Sequence, residues 1–166
     1  MAILVESGRA AVANAIRGQA LHLAWGSGDV SWDVNTLPPT PTTGTTALTN
    51  EIGRRVVTQT QFCEPKSGGG IIVSGGQFAP TANNGNTPSK YLYLRFSYDF
   101  YDAATSDIRE LGIFVGGTMA GAGTNGYWDT TQTPPADPGQ LLVLEHIQKL
   151  SRSQQVKQMF EFVIQF

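Results

Sequence analysis

DIRELGIFV, residues 107–115, alternates as a strand and carries a charge on each of its faces. Ile108, Glu110, Gly112 and Phe114 fall on one side and Arg109, Leu111, Ile113 and Val115 on the other, because successive side chains of a pleated backbone point in opposite directions. Burying a charge costs several kcal/mol unless it is paired and hydrogen-bonded. Glu110 and Arg109 therefore need partners, or must reach solvent at a bulge or strand end. The expected partners are Arg54 or Arg55 for the glutamate and Glu51 for the arginine, all within or beside LTNEIGRR, residues 48–55.

Upstream of this stretch, YLYLRFSYDF (residues 91–100) has the clearest period of two in the chain. It predicts a core strand with Leu92, Leu94, Phe96, Tyr98 and Phe100 inward, and Tyr91, Tyr93, Arg95, Ser97 and Asp99 outward. Downstream, LLVLEHIQKL and VKQMFEFVIQF read as two further strands. In the second, Val156, Gln158, Phe160, Phe162, Ile164 and Phe166 share a face. LHLAW (residues 21–25) alternates and ends at a glycine-rich turn. RVVTQTQFCE (residues 55–64) is rich in β-branched residues and reads as one strand after a turn of helix around Thr49 to Arg54.

Residues 7–17, SGRAAVANAIR, predict one short helix with Ser7 as N-cap, Val12 and Ile16 on its packing face and Gly18 just past its end. TANNGNTPS, from residue 81, reads as a turn whose Asn and Gly residues accept positive φ. Long loops are expected at about residues 35–46 and 116–139, and loops of that length are usually functional or disordered. The fold class is thus mainly β, a twisted antiparallel sheet or sandwich with one short amino-terminal helix, in a single domain spanning residues 1–166.

Composition agrees with that class and narrows the function. Charged residues make up only 14% of the 166, glycine reaches 19, and the net charge of −2 lacks the basic footprint of a nucleic-acid binder. No apolar run is long enough to cross a bilayer, and the first residues lack a basic segment leading into an apolar core. A soluble protein made in the cytoplasm, with no membrane or nucleic-acid partner, is expected. The single cysteine, Cys63, reads as a small hydrophobe on a strand, since no basic terminus or histidine beside it would lower its pKa.

Residues with chemical potential are few. The two histidines, His22 and His146, stand far apart without zinc-ligand spacing and read as a polar-face strand residue and a surface residue, so neither metal nor cofactor is expected. Asp29 and Asp33 flank Trp32 as a glycosidase pair would, but turn formation accounts for them more simply. Tyr127 and Trp128, in the middle of a polar loop, are candidate partner-binding aromatics, with packing onto the sheet or sugar binding as alternatives. Phe166 closes a strand that, at a sheet edge, would be able to pair with another chain.

Taken together, LTNEIGRR and DIRELGIFV resemble the amino-terminal domain of tailed-bacteriophage tail fibres. In that family a leucine-x-asparagine-glutamate segment followed by arginine precedes an isoleucine-arginine-glutamate-isoleucine-glycine-leucine-phenylalanine strand. Leu48, Asn50, Glu51 and Arg54 or Arg55 match the first motif, and Ile108, Arg109, Glu110, Gly112 and Phe114, with Leu111 and Ile113 between them, match the second. AWGSGD, residues 24–29, is similar to the family's short strand ending in a glycine-aspartate turn. The resemblance implies a non-enzymatic docking module of the tail baseplate, binding tail fibres or other baseplate proteins in several copies per virion, as a dimer or trimer. The family's fibre shaft continues from this domain. With the chain ending at Phe166 no shaft is expected, which leaves a baseplate or fibre-adaptor protein. A small receptor- or glycan-binding tail module is the alternative.

Overall fold

A computed structural model describes residues 1–34, 37–118, 126–132 and 137–166. Among them the chain is mainly β, with one packing helix near the amino terminus, α1 (Glu6–Arg17). The strands are β1 (Leu21–Gly26), β2 (Glu51–Val56), β3 (Gln59–Pro65), β4 (Ile71–Val73), β5 (Gly76–Pro80), β6 (Tyr91–Tyr98), β7 (Asp107–Val115), β8 (Tyr127–Asp129), β9 (Gln140–Ser151) and β10 (Gln158–Gln165). They form two five-stranded antiparallel sheets, ordered β8-β2-β1-β7-β9 and β10-β6-β3-β5-β4. The chain divides into two compact units, one of Met1–Gln19, Val57–Phe96 and Met159–Phe166, the other of Ala20–Val56 and Ser97–Gln158. No described helix is long and apolar enough to cross a membrane.

In the second unit, β1 and β7 lie side by side at the middle of the sheet, with Leu23 opposite Ile113, Trp25 opposite Leu111 and Gly26 opposite Glu110. Every residue of β1 is buried, as is β7 from Ile108 to Phe114. Both faces of the central strands are therefore interior. His22, expected on a polar face, is instead 1% exposed. Trp25 stacks on Tyr98 with ring centroids 3.6 Å apart, and the Tyr98 hydroxyl donates to the Leu23 carbonyl at 2.6 Å.

The helical turn expected around Thr49 to Arg54 is strand β2, held by β1 on one side and β8 on the other. Pairing on both edges overrides the weak local preference of EIGRRV. The single strand expected over residues 55–64 is broken at Val57 and Thr58. The Val56 N–H donates to Gly126 O in one unit, while the Thr58 N–H donates to Arg95 O in the other. Backbone N–H groups only two residues apart thus bond to different units, which a hydrophobic pattern alone does not reveal.

In the first unit, β6 pairs with β3, Leu92 standing opposite Phe62 and Tyr91 opposite Cys63. Leu92, Leu94, Phe96 and Tyr98 are buried as expected, but two other assignments change. Tyr93 is buried on the opposite face with Cys63, Ile71 and Phe78, its hydroxyl donating to Glu161, while Phe100 lies beyond the strand and is exposed. Phe96 meets Phe162 of β10 edge to face. Phe160, Phe162 and Ile164 are half-buried, whereas Val156 precedes β10 and is exposed. Asn83, Asn84 and Gly85 adopt φ of 56, 55 and 76°, the left-handed turn that TANNGNTPS predicts.

Helix α1 runs close to its expected bounds but is oriented differently. Ala13 is its buried residue and Val12 is exposed; Val5 occupies the N-cap without a side-chain bond, so Ser7 is not the cap. Arg9 and Arg17 explain the rotation. Arg17 bonds Thr60 and Asn86 and lies 4.9 Å from the Phe62 ring centre, and Arg9 reaches the Phe166 carbonyl at 2.9 Å. Their long stems cover apolar surface that the sequence pattern assigns to aliphatic residues.

Burial, then Glu64, pushes the Cys63 thiol up to about 11, as suits a small hydrophobe within the cluster. At neutral pH the native protein is expected to resist a thiol reagent such as 5,5′-dithiobis(2-nitrobenzoic acid) and to react fully once unfolded in urea. Rapid labelling of the native protein would contradict this placement.

Candidate assembly site

The two buried charges of β7, Glu110 and Arg109, act as anchors for loops. Glu110 is fully buried, and its carboxylate accepts the backbone N–H groups of Thr49 at 2.9 Å and Asn50 at 2.8 Å. The expected Arg54 or Arg55 pairing is thus replaced by two charge-assisted bonds to the turn that precedes β2. Neighbouring groups complete the clasp: Ser27 N donates to Asn50 O at 2.9 Å, and Asn50 Nδ2 to Ser27 Oγ at 2.6 Å. Gly26 sits at the bulge between β1 and β2, where a Cβ would strike the Glu110 carboxylate and come within 2.8 Å of Asn50 O. A side chain at this position would push the clasp open.

Arg109 pairs with Asp33, not Glu51. Its Nε and Nη2 donate to the two Asp33 oxygens at 2.7 Å each, and its Nη1 donates to Ser27 O at 3.0 Å. Asp33 belongs to a short 3-10 helix, Val30–Val34, which this bidentate pair ties to the sheet. The Arg109 guanidinium holds the Asp33 carboxyl below its ordinary range, and the Ser31 backbone N–H does the same for Asp29. Asp29 keeps its expected turn-forming role, its Oδ1 accepting the Ser31 N–H at 2.8 Å. Trp32 stacks on His146 at 4.3 Å, and His146 Nδ1 donates to the Pro39 carbonyl at 2.6 Å. His146 is therefore half-buried and engaged on β9. Around these anchors Val30, Val34 and Leu37 remain 69, 85 and 74% exposed.

The remaining motif residues pack between the anchors. Leu48 enters a cluster with Ala24 and Phe114, and a Cβ on Gly112 would come within 2.5 Å of Leu48, so the glycine makes room for the leucine. Glu51 pairs with Arg54, whose guanidinium lies 3.8 Å from the Phe114 ring centre and donates to Pro138 O at 2.6 Å. Ile108 is fully buried. The structure thus brings together all the motif residues proposed from sequence, as a framework that fixes three chain segments around β7. Sequence reading did not identify Asp33 as the anchor's acid, nor Arg152. The latter is 7% exposed, donates to the Asp99, Asp102 and Val156 carbonyls and lies 5.3 Å from the Trp25 ring centre. Arg109 and Asp33 are 76 positions apart, and neither shows a local pattern that would join them.

His22 adds a pH-sensitive element to this core. Burial, and secondarily Arg54, lower its pKa from 6.5 to about 4, so at neutral pH its Nε2–H donates to Gly116 O at 3.0 Å. The unfolded chain binds this proton at higher pH than the folded one. Stability should therefore fall as pH drops from about 6.5 to 4, by about 3 kcal/mol at 1.36 kcal/mol per unit. Urea unfolding across this range is expected to show the slope in the native chain and to lose most of it in His22→Gln. Equal slopes would contradict the assignment.

The candidate partner-binding aromatics are placed differently from expectation. Tyr127 and Trp128 form β8, paired with Arg55 and Arg54 of β2, and each is only 5% exposed. The Tyr127 ring packs edge-on against Trp25 and Tyr98, and its hydroxyl accepts from Trp25 Nε1 at 3.3 Å. Both rings are core, so the glycan reading loses the side chains it rested on. The loop containing them is tied at its ends, Thr118 N donating to Asp137 O at 2.9 Å. Gly117 and Gly139 adopt φ of 75 and 72° there, and a Cβ on either would strike the other strand of the crossing. Residues 119–125 and 133–136 of this loop, like residues 35–36 of the earlier one, lie outside the described residues. In the first unit, Phe166 is half-buried, its N–H donating to Lys90 O at 2.9 Å and its carbonyl accepting from Arg9.

β7 is buried from Ile108 to Phe114, and the two charges within that stretch, Arg109 and Glu110, hold neighbouring loops. It is the same strand that carries the tail-fibre resemblance. Comparison with curated proteins gives no match. A family model described as "Baseplate wedge 3 tail fiber network component" matches residues 1–166, and the chain therefore belongs to that family, as a structural component of the bacteriophage tail baseplate.

Proposed function

We propose that the protein works by assembly alone, docking a tail fibre or a neighbouring baseplate protein through the loop surface that β7 anchors, without catalysis. The observation that carries this reading is the bidentate Arg109–Asp33 pair, which ties the 3-10 helix bearing the exposed Val30 and Val34 to the sheet, with exposed Leu37 nearby in sequence. Ordering a loop before binding removes that entropic cost from the docking step, and exposed apolar side chains in a rigid frame mark contact surfaces. Asp29 and Asp33 both have lowered pKa values, whereas a glycosidase acid needs a raised one. Use in several copies per virion, as the symmetry of tails implies, is part of this reading.

Immunogold electron microscopy of virions, with antibody raised against the recombinant protein, is the test of location. Label at the distal tail near the fibre attachment points is expected. Absence of the protein from virions on a denaturing blot would overturn the reading. Val34→Asp with Leu37→Asp should leave folding unchanged while reducing incorporation into particles; normal incorporation would remove this surface from the account.

A further inference from the structure

Two features elsewhere in the chain are complementary. Residues 1–5, MAILV, precede α1 without secondary structure, and Met1, Ile3, Leu4 and Val5 are all at least half exposed. Val5 has extended dihedrals, φ −77° and ψ 165°. Val5 is the N-cap of α1 and its carbonyl accepts the Arg9 N–H at 3.0 Å, so Met1 to Leu4 are the apolar residues able to extend along a partner strand. In the second unit, β9 is the outermost strand of its sheet, so among the described residues one of its edges has no neighbouring strand. Beside it runs a groove walled by residues 141–144 of β9 on one side and by Pro41, Thr42, Thr43 and Thr45 on the other. The threonine wall is held by a tight turn, Thr45 N donating to Thr42 O at 3.1 Å with the two hydroxyls 3.1 Å apart.

We propose that the groove takes the residue 1–4 arm of a second copy of this chain, added as a strand along the edge of β9. The groove is lined by no charged side chain, and residues 1–5 carry none. Four extended residues, Met1 to Leu4, reach about 14 Å, enough to cover residues 141–144. Backbone pairing supplies the affinity, and Ile3 and Leu4 supply apolar contact with the aliphatic and threonine walls. Arm and groove are different surfaces, so the contact is heterologous: each copy uses its arm on one neighbour and its groove on another, and copies join head to tail. A contact this small belongs to the weak class and becomes populated at high local concentration. The inference stands independently of docking through residues 30–37.

Sedimentation velocity of the full chain, from micromolar to millimolar, tests it. The weight-average mass is expected to rise with concentration. Ile3→Asp with Leu4→Asp disables the arm, and Thr43→Trp fills the groove from its exposed wall; each variant is expected to stay monomeric with an unchanged circular dichroism spectrum. Mixing the two variants should restore a single dimer and nothing larger, because one copy keeps a working groove and the other a working arm. A native chain that stays monomeric throughout, association that persists in either variant, or a mixture without dimer would each overturn the proposal.

Discussion

Glu110→Ala is expected to lower the unfolding free energy by about 3 to 5 kcal/mol, since two hydrogen bonds to a charged group contribute about 1.5 to 3 kcal/mol each. The carboxylate is wholly buried and accepts from Thr49 and Asn50. Truncation leaves two backbone donors facing an apolar wall and opens a void beside Gly26. Glu110→Gln is a sharper control: the amide keeps the shape and one acceptor but turns an NH2 group toward the second donor. It is expected to cost less than alanine and clearly more than zero. Urea denaturation with an unchanged m-value reads both, and a Glu110→Ala loss below about 1 kcal/mol would contradict a buried carboxylate clasp.

Tyr127→Ala is expected to cost about 3 to 5 kcal/mol, the range for deleting a buried aromatic ring. Tyr127 fills the space edge-on between Trp25 and Tyr98 and accepts from the Trp25 indole. Tyr127→Phe keeps the ring and removes the hydroxyl that accepts from Trp25, so about 1 kcal/mol is expected. This pair of variants separates core from partner contact. A partner-facing aromatic would leave thermal stability within about 0.5 kcal/mol of native and lose only incorporation. The placement also decides what a loop deletion does: removing residues 120–136 takes β8 with it and should unfold the second unit.

What the sequence disclosed follows physical locality. The strand character of residues 107–115 and 91–98 was legible because alternation acts residue by residue, and the mainly β class followed from it. The motif residues were legible as a set through resemblance. Their partners were not, because Glu110 binds main-chain N–H groups, which every residue carries, and Arg109 selects an aspartate 76 positions away. The helical turn expected at Thr49 to Arg54 failed because β2 is made a strand by pairing on both edges, a tertiary effect. His22 and Tyr93 were placed outward by an alternation argument that presumes one wet face. At both positions the structure closes the second face, and His22 Nε2 and the Tyr93 hydroxyl there are met by Gly116 O and Glu161. Tyr127 and Trp128 lie in a strand of three residues, too short for any period to show.

The central claim is that the charges of β7 hold the loops from which the protein presents its surface. Amide hydrogen exchange by nuclear magnetic resonance, at the Thr49 and Asn50 N–H groups of native protein and Glu110→Gln, tests it most directly. Strong protection of both amides in the native chain, lost in the variant at the amide that faces the new NH2 group while the β1 amides stay protected, is the result this account predicts. Fast exchange at both positions in the native chain, or protection that survives the substitution unchanged, would contradict it.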